Sequence, residues 1–507
     1  MGVRALLAAA LACLSVMARA QAIITSPAPD KVAVTVYRAP NASGTMDLEW
    51  LQGFAIVRET RRVSLPAGES ELRFEGVAGG IIPQSAIIEG LGVVVEKNRG
   101  AKLLSPGTLL DSLLGRRVHL RRISKATGAV REQEAVVRAS GDGVVLETAE
   151  GIEALRCTGL NETPLAQTEP AMLSAKPALS VRLRTAHPMA GNVILTYLSS
   201  GFDWRAHYVA TLTPSGDKMA LFAWLTLANG DETGFANAET MAVAGRVNRE
   251  RAEVLAPEVR PISLSCWPSQ RTHEIPLEEV VVPAPPPPPP PAPAIMMSAE
   301  RSEDIVVTGS SIIAQREALG DLKLYRIPIP VTVAARSQKQ VALLDQPSAR
   351  LATLYRWRSS FANEQNEPVD AARILKMENR TDHGLGLPLP AGSLTLFAER
   401  NGRPFLLGEG SMTDRAVGET VEVVLEGSPG VKVAQRQVRR DGKEHEMEVV
   451  VTNDDAKPVH FEVRFADERK PLSSSEGLVR RDEAYWWTAM IPANGTRTLR
   501  IRYRVPD

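Results

Sequence analysis

Asp203 and His207 stand four residues apart in FDWRAHY (Phe202 to Tyr208), and a carboxylate beside an imidazole is the residue pair of general acid–base catalysis. In a strand the two side chains share a face but lie about 13 Å apart along it, at roughly 3.3 Å per residue, too far to exchange a proton. They read instead as solvated polar groups at a strand edge. The other histidines, His119, His187, His273, His383, His445 and His460, are scattered. KEHEMEVV puts Val449 where a zinc-binding HExxH needs its second histidine. The G-x-S-x-G elbow, the P-loop and the G-x-G-x-x-G fingerprint do not occur, so acyl transfer, phosphate cradling and dinucleotide binding lack support. A carboxylate pair for glycoside cleavage stays open, because strands bring together residues distant in sequence. The expectation is a protein that is not an enzyme, with no catalytic residue, metal ligand or cofactor.

Two aromatic pairs remain. Trp204 and Tyr208 flank a short gap and read as core anchors between sheets with their polar tips bonded, a sugar-stacking platform being the alternative. YWWTAMIP (Tyr485 to Pro492) sets Trp486 and Trp487 on opposite strand faces. At least one of them is therefore expected to face solvent or another domain, which makes these two the candidate aromatic contacts.

The elements that hold these residues are strands. KVAVTVYR, RRVSLPAGESELRFEGV, HFEVRFAD and TRTLRIRYRV alternate apolar and polar residues between Gly, Pro, Asn and Asp, as half-buried antiparallel strands do. VRRDGKEHEMEVVVTNDD carries Asp441-Gly442 between two such runs, a hairpin signal. Helical periodicity is nearly absent, its best stretch being SPGTLLDSLL (Ser105 to Leu114). The fold expected is mainly β, with several antiparallel β-sandwich or small-barrel domains in tandem around a Pro-rich disordered insert. The expected parts are a signal peptide at 1–20, an N-terminal β domain at 21–103, a small SH3-like β unit at 104–162, a central β domain at 176–268 and 319–433, the insert at 269–318, and a C-terminal β-sandwich at 434–507. No tandem repeat at a fixed period is visible.

Lys plus Arg and Asp plus Glu are equal at 59 each, so no net field attracts nucleic acid, and runs such as GRRVHLRRISK read as solvated strand faces. MGVRALLAAALACLSVMARA has a charged start, a short apolar core and an Ala-x-Ala exit, the pattern of a secretory signal. No later segment holds 18 uninterrupted apolar residues, so no transmembrane segment is expected after cleavage, and the location expected is periplasmic or secreted. Cys157 and Cys266 then remain. They leave two readings open: a bridge closing a loop of about 110 residues, worth roughly 4 kcal/mol, or two free thiols.

The run NVILTYLSSGFDWRAHYVATL (Asn192 to Leu212) resembles the signature of a bacterial family, the domain of unknown function 4139 with its mucoidy-inhibitor-like homologues, the signature's Trp and Tyr falling on Trp204 and Tyr208. The resemblance extends through Phe222 to Arg249, Lys323 to Leu344, Met377 to Gly410 and Met447 to Phe465, covering roughly residues 176–507. The coiled coil usual in the neighbouring domain of that family is replaced here by the small β unit. What the resemblance implies is a β-rich architecture without catalytic residues.

Seven consecutive prolines, Pro285 to Pro291, precede EDIVVTG (Glu303 to Gly309). The prolines suit a polyproline II rod, and proline donates no hydrogen bond to a sheet. The segment behind them resembles the TonB box of outer-membrane receptors, which implies docking by strand addition through Ile305, Val306 and Val307; a plain linker is the other reading. The function expected is that of an exported, non-enzymatic, multi-domain β protein of the bacterial cell envelope, acting through protein or glycan contacts. An envelope enzyme acting on polysaccharide, or a docking adaptor working through residues 303–309, is the alternative.

Overall fold

The computed structural model describes residues 22–505, apart from 41–45, 92, 101–102, 125–126, 141–143, 155–160, 166–172, 246, 248–312, 320–321 and 467–470. Of the described residues 68% lie in strands and 3% in helices, so the fold is mainly β as expected. The described chain forms two compact units, residues 22–31 with 58–198, and residues 32–57 with 199–247 and 313–505.

In the first unit, four strands pair in the spatial order Ala22–Ser26, Gly68–Glu75, Ala178–Thr185, Val93–Gly100, the first pair parallel and the others antiparallel. Alternation decides their faces: Leu72, Phe74, Leu179, Val181 and Leu183 are buried. A second sheet runs Gly151–Ala154, Val145–Thr148, Val130–Ala139, Arg117–Ile123, Asn161–Leu165. Its order is open, with no pairing between first and last strands among the described residues, so the sheet is not closed into the expected SH3-like barrel. The reason lies in the short helix Pro106–Ser112. Ser105 caps it in a reciprocal box with Thr108, and Pro106 begins its first turn. Leu110 and Leu113 then cover Val118, Leu120, Val137 and Leu146, so the apolar face is closed without curling the sheet on itself. The arginines of GRRVHLRR pair across strands, Arg121 with Glu132 at 2.6 Å on the solvated face and Arg122 with Glu153 at 2.7 Å on the opposite one.

The second unit is built on one ladder of fourteen strands that folds into two sandwiches. In the first sandwich one layer is the run Ser337–Arg350, Lys218–Asn229, Phe202–Leu212, Gly392–Arg400. The facing layer holds Lys31–Tyr37 parallel to Phe235–Ala244, followed antiparallel by Leu322–Arg326. In the second sandwich one layer is Thr420–Asp441, Glu444–Asn453, Gly495–Arg504, and the other is Ala352–Ser359 parallel to Val459–Phe465, then Ala484–Ile491 and Val479–Arg481. Val431, Val433, Met447, Val449, Leu499 and Ile501 meet Phe461, Val463, Phe465 and Trp487 between them. The boundary expected between residues 433 and 434 falls inside Thr420–Asp441. Its first half pairs with Gln365–Glu378 and its second with Glu444–Asn453. The hairpin read from the sequence is present, shifted by one residue: Asp441 faces Glu444, and Gly442, at φ +55°, takes the first position of the two-residue loop.

Each sandwich has an asparagine at its corner. Asn229 donates through Nδ2 to the carbonyls of Thr233 and Ala334, both at 3.0 Å, and its Oδ1 accepts from the Asp231 N–H at 2.9 Å. Asn453 donates to the carbonyls of Lys457 at 2.9 Å and Pro492 at 2.8 Å, and accepts from the Asp455 N–H at 3.0 Å. Both asparagines are buried. Their amides supply the partners that backbone groups leaving a sheet would otherwise lack.

Candidate functional site

The strand Phe202–Leu212 holds the residues whose types suggested chemistry. Trp204 and Tyr208 are buried at 0% and 1% exposure. The Trp204 indole donates to the Val243 carbonyl at 2.9 Å, lies 5.6 Å from the Tyr325 ring, and has the Arg38 guanidinium 5.4 Å above it. Tyr208 donates to the Pro390 carbonyl at 2.7 Å. Burial pushes the Tyr208 phenol well above its usual range and that of Tyr325 up to about 12. Both aromatics are core anchors with bonded tips, and neither offers a stacking face.

Asp203 is 1% exposed rather than solvated, which corrects the strand-edge reading. Its Oδ1 accepts from the Ala39 N–H at 2.9 Å and the Trp204 N–H at 2.8 Å. Burial raises its pKa, against the two N–H groups and the nearby arginines. Gly53 approaches so closely that a Cβ there would stand 2.5 Å from the carbonyls of Phe202 and Tyr37 and 2.9 Å from Oδ1. His207 bonds a different partner, Thr226, with 2.9 Å between Nδ1 and Oγ1, and burial lowers its pKa. Aspartate and histidine are thus tied to separate partners and make no dyad. Arg38 completes the cluster: its Nη2 donates to both Asp414 oxygens, at 2.7 and 2.6 Å, and its Nη1 to the Ala391 carbonyl at 3.2 Å.

In the first unit another ionic group is fully enclosed. Arg61 donates to Glu59 at 2.8 Å and to the Ser26 carbonyl at 2.9 Å. Tyr197 donates to Glu59 at 2.8 Å and accepts from the Ala78 N–H at 2.9 Å. Burial raises the Glu59 pKa against these partners. The group joins strands and reaches no surface.

Trp486 and Trp487 do point to opposite faces. Trp487 is inside the second sandwich, 1% exposed, and donates to Glu476 at 2.7 Å. Trp486 is on the outer face, yet only 9% exposed. The Arg481 guanidinium lies 4.2 Å from its ring centre and that of Arg356 5.5 Å. Neither tryptophan stands open to solvent, because arginines cover the outer ring. Arg356 also grips Glu422 at 2.7 and 2.9 Å and bonds Glu462, while Arg481 stands 3.6 Å from Glu462. This arginine-framed tryptophan is the surface constellation that the sequence pointed to only through its tryptophans. Arg481 comes from a neighbouring strand and Arg356 from far upstream, so spacing carried no signal of them.

Cys157, Cys266, Ile305, Val306, Val307, the prolines and residues 1–20 lie outside the described residues. Among the described residues no group of three His, Cys, Asp or Glu side chains is arranged to hold a metal, and no helix is long and apolar enough to cross a membrane. No family model matches the chain, and no curated protein matches it.

Proposed function

We propose that this chain is an exported, non-enzymatic, multi-domain β protein of the bacterial cell envelope that acts by contact with a protein or glycan, and that it belongs to the domain of unknown function 4139 family that its sequence resembles. The observation that carries this reading is the commitment of Asp203, Trp204, His207 and Tyr208 to internal partners, while unspent charge stands on an open sheet face around Trp486. Groups locked into a core by hydrogen bonds hold a shape; charges left on a flat face meet another surface. The leader-like first twenty residues support export. The test is to incubate the purified chain with an insoluble envelope fraction and follow both retention and polymer breakdown. Saturable, salt-sensitive retention without release of new reducing ends or peptides is the expected result. Turnover of any envelope polymer would sink the reading. The same assay on a chain lacking residues 278–317 measures what the Pro-rich insert adds.

A further inference from the structure

The outer face of the layer that carries Trp486 is charged out of balance. Parallel pairing sets Arg358 directly beside Arg464, and antiparallel pairing sets Arg464 beside Trp486 and Trp486 beside Val479. Like charges placed opposite each other destabilise a sheet. Two carboxylates of this face, Glu422 and Glu462, are engaged by Arg356, with Glu462 also near Arg481. Among the described residues none pairs with Arg358 or Arg464. Two other faces are matched: on the opposite layer of this sandwich Glu448 stands between Arg436 and Arg500, and the five-stranded sheet pairs Arg121, Arg122 and Arg131 with glutamates across strands.

The same face exposes apolar side chains, Val479 at 63% and Met490 at 41%. Arginine, tryptophan and methionine are the residues in which protein interfaces are enriched. Ala352–Ser359 and Val459–Phe465 are interior strands, each paired on both sides, so a partner cannot join them by strand addition. Over these two strands it is held by side chains. We propose that this face docks an acidic protein surface in which carboxylates surround an apolar residue. Arg358 and Arg464 take the carboxylates, Arg481 is held flat on Trp486 with its outer edge free to donate, and Val479 and Met490 meet the apolar residue. This rests on the proposed contact role and names its partner class.

The experiment measures binding of the full chain by fluorescence anisotropy to a labelled synthetic peptide of alternating glutamate and leucine, beside polyglutamate and oligogalacturonate. The expected result is saturable binding of the mixed peptide, tighter than of polyglutamate. The double variant R358E/R464E should weaken it by at least about tenfold, and R131E, on the five-stranded sheet, should leave it unchanged. The double variant should melt close to the parent, because it exchanges one opposed like-charge pair for another at the same two positions; this separates docking from a structural role. Absence of saturable peptide binding, or binding indifferent to R358E/R464E, overturns the proposal. Preference for oligogalacturonate overturns the protein partner and leaves the contact role, whereas shortening of the oligogalacturonate overturns the contact role itself.

Discussion

At Asn229 and at Asn453 the chain leaves one layer of a sandwich for the other, and the two corners match bond for bond. Phe202 pairs with Asn229, which pairs with Ser337; Val431 pairs with Asn453, which pairs with Gly495. The residue after each asparagine donates to a glycine carbonyl, Gly230 to Gly201 and Asp454 to Gly430. The aspartate after that accepts, through its backbone carbonyl, from the Arg336 N–H in one corner and the Asn494 N–H in the other, and these donor residues have φ of 45° and 47°. Beyond the corner the likeness stops. A bulge at Asn237, φ 49°, turns Ala238, Thr240 and Ala242 inward in the first sandwich, where the second places Phe461, Val463 and Phe465. The first core is then filled by Trp204 from the ladder strand and the second by Trp487 from a returning strand. Satisfying backbone groups at a corner admits few solutions, whereas filling a core admits many. The two sandwiches therefore share their turns and differ in their interiors.

The comparison is broken most sharply at the corners themselves. Asn229→Ala and Asn453→Ala each strand two carbonyls and an N–H in a buried place. Each should cost about 2–4 kcal/mol, and hydrogen exchange should show protection lost first at the strand ends around the altered corner. Unequal costs would show that the corners are alike in geometry only. The interiors come next. Trp204→Phe leaves the Val243 carbonyl with only the longer bond from the Arg38 N–H at 3.4 Å and should cost about 1–2 kcal/mol by chemical denaturation. Trp487→Phe should cost less, because its acceptor Glu476 keeps Arg497 at 2.8 Å.

Acid separates the two regions by sign. Burial works to raise the Glu448 pKa, but hydrogen bonds from Arg436 and Arg500 outweigh it and leave the pKa lowered. The stability this gives the second sandwich is present above the unfolded carboxylate value and fades as pH falls through the folded one. Asp203 in the first sandwich is shifted upward, so its folded form gains a proton first and it stabilises as pH falls toward the unfolded value. Protection factors, which allow for the slower intrinsic exchange in acid, should fall earlier in the second sandwich than in the first between pH 7 and about 3.5. Equal responses would mean that neither group governs its surroundings. The smallest effects belong to exposed pairs. Arg326→Ala, beside Glu317 in the first sandwich, and Arg504→Ala, beside Glu444 in the second, should each change stability by less than about 0.5 kcal/mol.

How far the sequence announced this depends on the range of the interaction. Leu499, Ile501 and Tyr503 alternate with arginine and threonine and are buried as that period requires. Trp204 and Tyr208 are the anchors their types suggest. The Asn401-Gly402 hairpin, with φ of 53° and 71°, is a local signal that reading for other turns passed over. Arg38 and Asp414 meet across most of the chain, and no window of sequence holds both. The paired corners escaped the search for repeats because the return strands begin at Ser337 and Gly495, after connections of very different length, so no fixed period exists. The open charge of Arg358 and Arg464 needs the parallel register to be seen at all, since neither residue is unusual alone.

The strand Thr420–Asp441 carries a consequence for how the protein comes apart. One continuous run of backbone serves the ladder of the first sandwich at Leu425 and the core of the second at Val431 and Val433. Melting either end exposes hydrogen-bonding groups that the other end needs in place. The two sandwiches should therefore give a single calorimetric transition, and a protease cut within Gly427 to Gly430 should uncouple them into two.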